Sequence, residues 1–505
     1  MHVLAARRPS PGIVLIALLT AAALVATACN PDSNRGTTQP GAASGAGASA
    51  GASPAASAGG ASGTAATSSA PSASGSGEPA ASGGTAADIS GAIEVGAKYA
   101  DADEIATVRY DTFTERYPDV DVSFTEADFD AQVFLTSVAS GNPPDVVQIG
   151  RDIMGTYISQ GALEPLDSCI SDHGIDMGQY REQAVTEVTL NDQIWGIPQF
   201  FDTRILMINQ SVIEEVGLVP EDIDTSDWDA LREVNNQLLA KEGDNLTRIG
   251  FDPKITDYLP LWAAANGARI LSEDGTESLL DDPKVAEALD YAASLVLAHG
   301  DAPTFFDFRA NGPGGAFFGE ENQFTEDSLG AMPMESWYLN VLAGDTPDEA
   351  IAFQPYKDRE GNPITLLGGQ AWVIPAASDN KEAACEFAKV VTEAETWVAA
   401  ATARAETRAA DGQAFTGTYT ANTAADEQIF SELVTEETAG NYYEGVQLAL
   451  EVADSAVGTP ANPAAEQFKA IWQDAVQRVL DGEPAADVLL QADQEAQDAI
   501  DGAIR

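Results

Sequence analysis

Asp145-Val146-Val147-Gln148-Ile149 is a short, mostly apolar run set between turn residues, Gly141-Asn142-Pro143-Pro144 before it and Gly150-Arg151-Asp152 after it, and it reads as a buried strand. The segment just upstream, Ala131 to Ser140, reads as a helix. Further upstream, Val120, Val122 and Phe124 alternate as a strand. Before that, Ile105, Val108 and Phe113 fit one helical face ended by Tyr117-Pro118, and Ala92 to Gly96 reads as a strand. Repeated alternation of strand and helix predicts an α/β fold with a parallel sheet covered by helices. The ligand crevice of such a sheet lies beyond the carboxyl ends of its strands. That rule puts Tyr99, Asp101 to Asp103, Arg151 and Asp152 at contact positions.

Outward from this unit, composition removes several classes of function. The 505 residues carry 25 Lys+Arg against 79 Asp+Glu, a net charge of -54, so phosphate backbones and anionic membranes would be repelled at every orientation. With 3 Cys, none two or three residues from another, zinc ribbons and thioredoxin-type pairs are excluded. His2 lies in the leader, and His173 and His299 stand alone, read as surface or loop histidines, which leaves little material for a histidine metal site or a Ser-His-Asp triad. No Gly-Lys dipeptide occurs, so a P-loop ATPase is excluded and any ATP hydrolysis falls to a partner.

The first 88 residues read as export and tether. Arg7 and Arg8 precede an apolar run from Ile13 to Ala26, too short for a membrane span, and Thr27-Ala28-Cys29 follows. This stretch resembles a bacterial lipoprotein signal, residues 1–28, whose following cysteine, here Cys29, receives the lipid; Ala26 stands where such signals usually have Leu, and the alternative is a plain cleaved signal. From Asn30 to Asp88 no aliphatic side chain exceeds Ala and no aromatic occurs, so chain entropy outweighs any apolar burial. Residues 29–88 are therefore expected to be a flexible tether spanning roughly 40 Å root-mean-square. Gly47-Ala48-Ser49-Ala50-Gly51 matches a nucleophile elbow but lacks its flanking strand and helix, and is read as chance.

The body, 89–505, is too long for one typical domain and is expected to form two lobes. Several stretches, in order, resemble the extracellular solute-binding proteins of ABC importers, in the carbohydrate-binding group that includes maltose-binding proteins. They are Pro144-Asp145-Val146-Val147 through Arg151-Asp152 to Gln160-Gly161-Ala162-Leu163-Glu164-Pro165-Leu166, then Gln193-Ile194-Trp195-Gly196-Ile197-Pro198 with Leu206-Met207-Ile208-Asn209. Next come Val219-Pro220 with Asp227-Trp228-Asp229-Ala230-Leu231, Asn266-Gly267-Ala268 with Asp274-Gly275, and Ala331-Met332 with Trp337. Gly368-Gly369-Gln370-Ala371-Trp372-Val373-Ile374 ends the series.

The resemblance implies a two-lobed periplasmic-binding-protein-like fold of type II, each lobe a sheet flanked by helices. Lobe 1 would be about 89–198 and 366–400, and lobe 2 about 205–352 and 410–505. Three hinge crossings are implied, near Pro198 to Arg204, near Phe353 to Thr365 and after Trp397. It also implies closure on a mono- or oligosaccharide without bond breaking, and delivery to permease subunits by a monomer needing no cofactor or metal. The place would be the outer face of the cell membrane, held by lipid only.

Sugars are gripped by flat apolar faces against ring C–H surfaces and by fixed polar groups on the hydroxyls. By motif position the ligand residues would be Asp152, Asp202 and Trp337, then Tyr99, Arg151, Trp262, Asn266, Glu335, Gly369, Gln370 and Trp372. Trp195 and Trp228 read as structural. The family often has an aromatic where this chain has Ile149, and Asn-Gly where it has Glu335-Ser336. Asp222, Asp224, Ser226 and Glu233 have partial calcium-loop spacing, but Asp227 stands where the turn requires Gly, and a helix start fits better. In the implied topology Cys169 and Cys385 share the first lobe, where an oxidising location permits a disulfide. The alternatives are an exported glycoside hydrolase using two cleft carboxylates, and a binding protein for a polyamine, metal chelate or phosphate ester.

Overall fold

The computed structural model describes residues 89–97, 103–125, 127–315 and 317–504; the leader, Cys29, the tether and Tyr99 lie outside them. The chain divides into Met1–Gly84 and Thr85–Arg505, and every described residue belongs to the second unit.

The stretch that opens the sequence reading builds the first of two five-stranded sheets. Its order is Val120–Phe124, Gly91–Gly96, Val146–Gly150, Gln370–Val373, Ile197–Pro198. The first three strands are parallel, and Gln370–Val373 runs antiparallel to both neighbours. The crossover helices are capped as their sequences dictate. Asp103 accepts the amide of Ile105 ahead of Glu104–Arg116. Asp130 accepts that of Val133 ahead of Ala131–Ser140, which Gly141 ends in the left-handed conformation at φ 76°. One core lies on each face of this sheet. Val95, Phe113, Trp372 and Phe387 anchor one, and Val147, Ile149, Met154 and Tyr157 anchor the other.

The second sheet has the order Ile351–Gln354, Arg204–Asn209, Leu329–Glu335, Asn245–Phe251, Ala240–Glu242. Arg204–Asn209 is buried at every residue, which is why its apolar run shows no alternation. A third and larger core wraps this sheet, from Ile205 through Trp262 and Leu289 to Ile500. Thus the expected architecture holds: two sheets, each covered by helices, joined by chain that passes back and forth. Gln199 to Thr203 makes the first passage and the segment between Gln354 and Gln370 the second. The third lies between Val391, in a first-sheet core, and Trp397, in the second-sheet core, and so comes before Trp397 where the expectation put it after.

Cys169 and Cys385 form a disulfide that ties helix Asp167–His173 to helix Lys381–Val390 across 216 residues of sequence. Closing so long a loop removes about 5 kcal/mol of unfolded-state entropy. The reading of His299 as a surface histidine is corrected. It is 1% exposed, Nε2 accepts the Gly250 amide at 2.9 Å, and burial pushes its pKa down, so it is a neutral core residue. His173 keeps a partly exposed place, paired with Glu386 at 2.6 Å. The partial calcium pattern resolves as a helix start: Asp224 caps Ser226 and pairs with Lys357, and Asp227 caps helix Trp228–Leu238.

Candidate functional site

The two sheets approach each other where Gln199 to Thr203 passes from one to the other. Asp202 pairs with Gly368 there as an isolated antiparallel bridge, its amide 3.0 Å from the Gly368 carbonyl oxygen. Two residues on, Arg204 begins the buried strand and stands opposite Glu335, the last residue of its antiparallel neighbour. Strand register therefore creates an ion pair, Arg204 Nη2 to Glu335 Oε1 at 3.1 Å. Arg204 also donates to the carbonyls of Asp202 and Leu366, and its guanidinium lies 5.3 Å from the Tyr258 ring centre. Its Nε is buried without a partner.

The charges of this cluster act on one another. Burial opposes ionisation of Glu335, but the Arg204 guanidinium and the Tyr258 hydroxyl outweigh it and hold the carboxyl below its usual range. Burial pushes the Tyr258 hydroxyl well above its ordinary value, and the Glu335 charge adds to that. Asp202 is pushed up to about 7 by burial, with Arg204 opposing and Glu335 reinforcing the rise. One carboxylate that stays charged thus sits in the same cluster as one that holds its proton to near neutrality.

Two residues beyond Glu335, Trp337 begins helix Tyr338–Asp345 and remains half-buried. Phe318 stacks against it at 6.3 Å and 25°, and Phe317 stacks on Tyr338 at 4.4 Å. Lys254, held at φ 49° ahead of helix Ile255–Ala265, places its ammonium 5.0 Å from the Phe317 ring. A left-handed lysine is costly, and such positions concentrate at functional sites. Aromatic faces and a carboxylate–guanidinium pair thus share one end of the strand Leu329–Glu335. This combination can stack on a sugar ring and hydrogen-bond its hydroxyls.

The other expected residues divide sharply. Asp152, on the turn after Val146–Gly150, is half exposed and pairs with Lys469 at 2.8 Å. Gln370 is partly buried, and its side-chain carbonyl accepts from the Gln148 amide. Gly369 is at φ 138°, and a Cβ there would collide with the Phe200 carbonyl.

Arg151 is buried and fully engaged within the protein. At 1% exposed, it donates to Glu187 at 2.8 Å and to the carbonyls of Phe200, Gln370 and Gly368, stapling the first passage to the sheet. Trp262 and Trp372 pack in the cores, each 0% exposed. Trp262 donates to the Pro253 carbonyl, and Trp372 lies edge-on to Phe387. Asn266 caps the far end of helix Ile255–Ala265, with its amide on the Lys284 carbonyl and Glu287.

Sequence reasoning missed Arg204, Tyr258, Lys254, Phe317, Phe318 and Lys469. Arg204 stood two residues from Asp202 in Asp202-Thr203-Arg204, and that adjacency was the available signal. A separate groove of about 760 Å³ lies among Trp228, Tyr291, Arg232, Arg359 and Leu489, and contains none of the expected ligand residues. Its aromatic faces are already covered, by Arg359 over Trp228 at 4.2 Å and Arg232 over Tyr291 at 5.0 Å. Among the described residues, no group of three or more His, Cys, Asp or Glu is placed to hold a metal ion. Nor is any helix there long and apolar enough to cross a membrane.

Residues 91–396, more than half of the chain, match the family described as bacterial extracellular solute-binding protein. The chain belongs to that family. Within this solute-binding family it is 24% identical over 291 residues to the lactose-binding protein of Rhizobium radiobacter, covering 54% of this chain and 64% of that one. It is 27% identical over 203 residues to the arabinooligosaccharide-binding protein of Halalkalibacterium halodurans, covering 39% and 42%. The chain therefore spans less than two thirds of the length of these curated relatives. Among solved structures, CpMnBP1 with mannotriose bound superposes with a TM-score of 0.64 at 20% identity, over 80% of this chain and 99% of that one. At that identity the likeness establishes the two-lobed fold, and the solute is left to the site itself.

Proposed function

We propose that this solute-binding protein captures a carbohydrate, a mono- or oligosaccharide, in the cleft between its two lobes and delivers it to the permease subunits of an ABC importer. The reading takes lobe 1 as about 89–198 and 366–391, and lobe 2 as about 205–352 and 397–505, the last boundary set by the passage between Val391 and Trp397. The observation that carries it is the juxtaposition of Trp337 and Phe318 with the Arg204–Glu335 pair and Asp202, where the chain passes between the sheets. Ring faces would stack on Trp337, and hydroxyls would be taken by Glu335, Asp202, Asp152 and Gln370. The sugar names of the relatives, lactose and arabinooligosaccharide, agree with that chemistry. Closure is a population shift: the ligand favours the closed state by the contacts the second lobe adds.

In this reading the protein is a monomer and not an enzyme. The signal ending at Ala28 exports the chain and is removed, and the lipid on Cys29 alone holds it at the outer face of the membrane. The paired carboxylates Asp202 and Glu335, with their pKa values pushed apart, also match the pattern of glycoside hydrolysis. One experiment separates the two. Lactose, maltotriose, mannotriose and arabinotriose, with spermidine and glycerol phosphate alongside, are incubated with the protein while melting temperature and products are followed. The proposal expects a rise in Tm with at least one sugar and no products; sugar turnover, or stabilisation by spermidine or glycerol phosphate alone, rejects it.

A further inference from the structure

In a chain with 79 acidic residues and 25 basic ones, a cation without a carboxylate beside it calls for an explanation. Lys357, Lys381, Lys389 and Lys469 each pair with a carboxylate, and Lys284 donates to the Gly267 carbonyl. Lys254 does neither. It is partly buried, its ammonium lies 5.0 Å from the centre of the Phe317 ring, and among the described residues no carboxylate forms an ion pair with it. The acidic groups around it are engaged elsewhere. Asp252 accepts the backbone amide of Lys254 at 2.9 Å with one oxygen and faces Arg309 at 3.4 Å with the other. Asp257 accepts from the Thr256 hydroxyl at 3.2 Å. Glu335 is held by Arg204 at 3.1 Å, and the Lys254 charge reaches it only as a more distant influence.

The position of this ammonium is also fixed. The backbone of Lys254 is left-handed, its side chain does not cap the helix that follows, and the ring beneath it is packed on Tyr338 at 4.4 Å. Trp337 lies 6.5 Å from Phe317, centre to centre, and Phe318 lies 6.3 Å from Trp337. An unpaired cation therefore stands next to the aromatic faces on which a sugar ring would stack. We propose that the captured sugar is acidic: a uronic acid residue stacks on Trp337 or Phe318, and its carboxylate pairs with the Lys254 ammonium. This inference rests on the proposed function and names its substrate class. A uronate carries its single charge one bond outside the pyranose ring, so the ring can lie on one aromatic face while the carboxylate meets a cation on the neighbouring one. A phosphate dianion would call for a second free cation, and Arg204 and Arg309 are already paired. A polyamine would add positive charge beside a cation that lacks a counter-charge. The net charge of -54 opposes anions at long range, but salt screens it beyond about 8 Å, so the adjacent ammonium decides.

Calorimetric titration of the full chain with D-glucuronate, D-galacturonate and D-mannuronate, as monomers and as trimers, tests this when each acid is compared with its own methyl ester. The ester keeps the ring and its hydroxyls and removes the charge. At least one acid should bind about tenfold or more tighter than its ester, as a charge-assisted hydrogen bond implies. Lys254→Met should bring that ratio to about two or less by weakening the acid alone, and Lys254→Arg should retain most of it. Esters that bind as tightly as their acids overturn the proposal in the wild-type chain, with no variant needed, and so does a ratio unmoved by Lys254→Met. Binding of neutral sugars and esters without preference for acids would reject this inference and leave the proposed function standing. Binding of no sugar, charged or neutral, would reject both.

Discussion

Arg151 and Arg204 flank the same glycine pair, Gly368 and Gly369, and have opposite fates. Arg151 spends its guanidinium on Glu187 and three carbonyls, and is sealed from solvent. Arg204 pairs with Glu335 at the mouth of the second sheet, keeps a buried Nε without a partner, and has Asp202 and Tyr258 beside it. One arginine is saturated and holds the passage between lobes in place; the other is under-satisfied and leaves its neighbourhood with unused hydrogen-bonding capacity. Saturation fits a structural role, and in the proposed reading the unused capacity beside Trp337 is what the hydroxyls of a ligand would meet.

The largest expected effect breaks the saturated side. Arg151→Met leaves Glu187 buried without its counter-charge, and urea denaturation should show a loss of about 3–5 kcal/mol. A loss below about 1 kcal/mol would mean that Arg151 is no staple. On the other side, Trp337→Ala removes a half-buried ring, and titration calorimetry with the sugar that raises Tm should show affinity reduced by about 10- to 100-fold, of the order expected for a stacking hot spot. Glu335→Gln keeps the shape, removes the charge and should weaken binding by about tenfold, with stability altered far less than by Arg151→Met. Equal stability losses in Arg151→Met and Glu335→Gln would erase the distinction between the two arginines.

The smallest effect is one of pH. Asp202 is pushed up to about 7 in the folded chain, against 3.8 as its ordinary value. Between those limits the folded state holds a proton that the unfolded state has released, so Asp202's contribution to stability is full below pH 4 and is lost as pH rises towards 7. Asp202→Asn should flatten that part of the stability profile in thermal scans from pH 4 to 8. An unchanged slope would show that Asp202 ionises normally.

The same contrast explains what the sequence revealed. The β-α-β unit from Ala92 to Ile149 was legible because each element carried its own period, caps and turn residues. Asp202, Glu335 and Trp337 could be proposed from sequence because each lies at a fixed step from a recognisable motif. Arg204 and Tyr258 were not, since their role comes from cross-strand register and from the packing of a distant helix, which no local pattern encodes. Trp262 and Trp372 have the same chemistry as Trp337, but tertiary packing alone decides which indole is sealed and which is offered. His299 reads as an isolated polar residue until the strand carrying Gly250 is laid beside it. Lys469 lies 317 residues from Asp152, and only the folded chain brings ammonium and carboxylate together.

Calorimetric titration of the wild-type chain and of Trp337→Ala with the oligosaccharides named above tests the central claim most directly. The account predicts saturable binding of at least one of them by the wild-type protein and a loss of affinity of about tenfold or more in the variant. Equal affinities in the two proteins, or heat from hydrolysis in place of saturable binding, would contradict it.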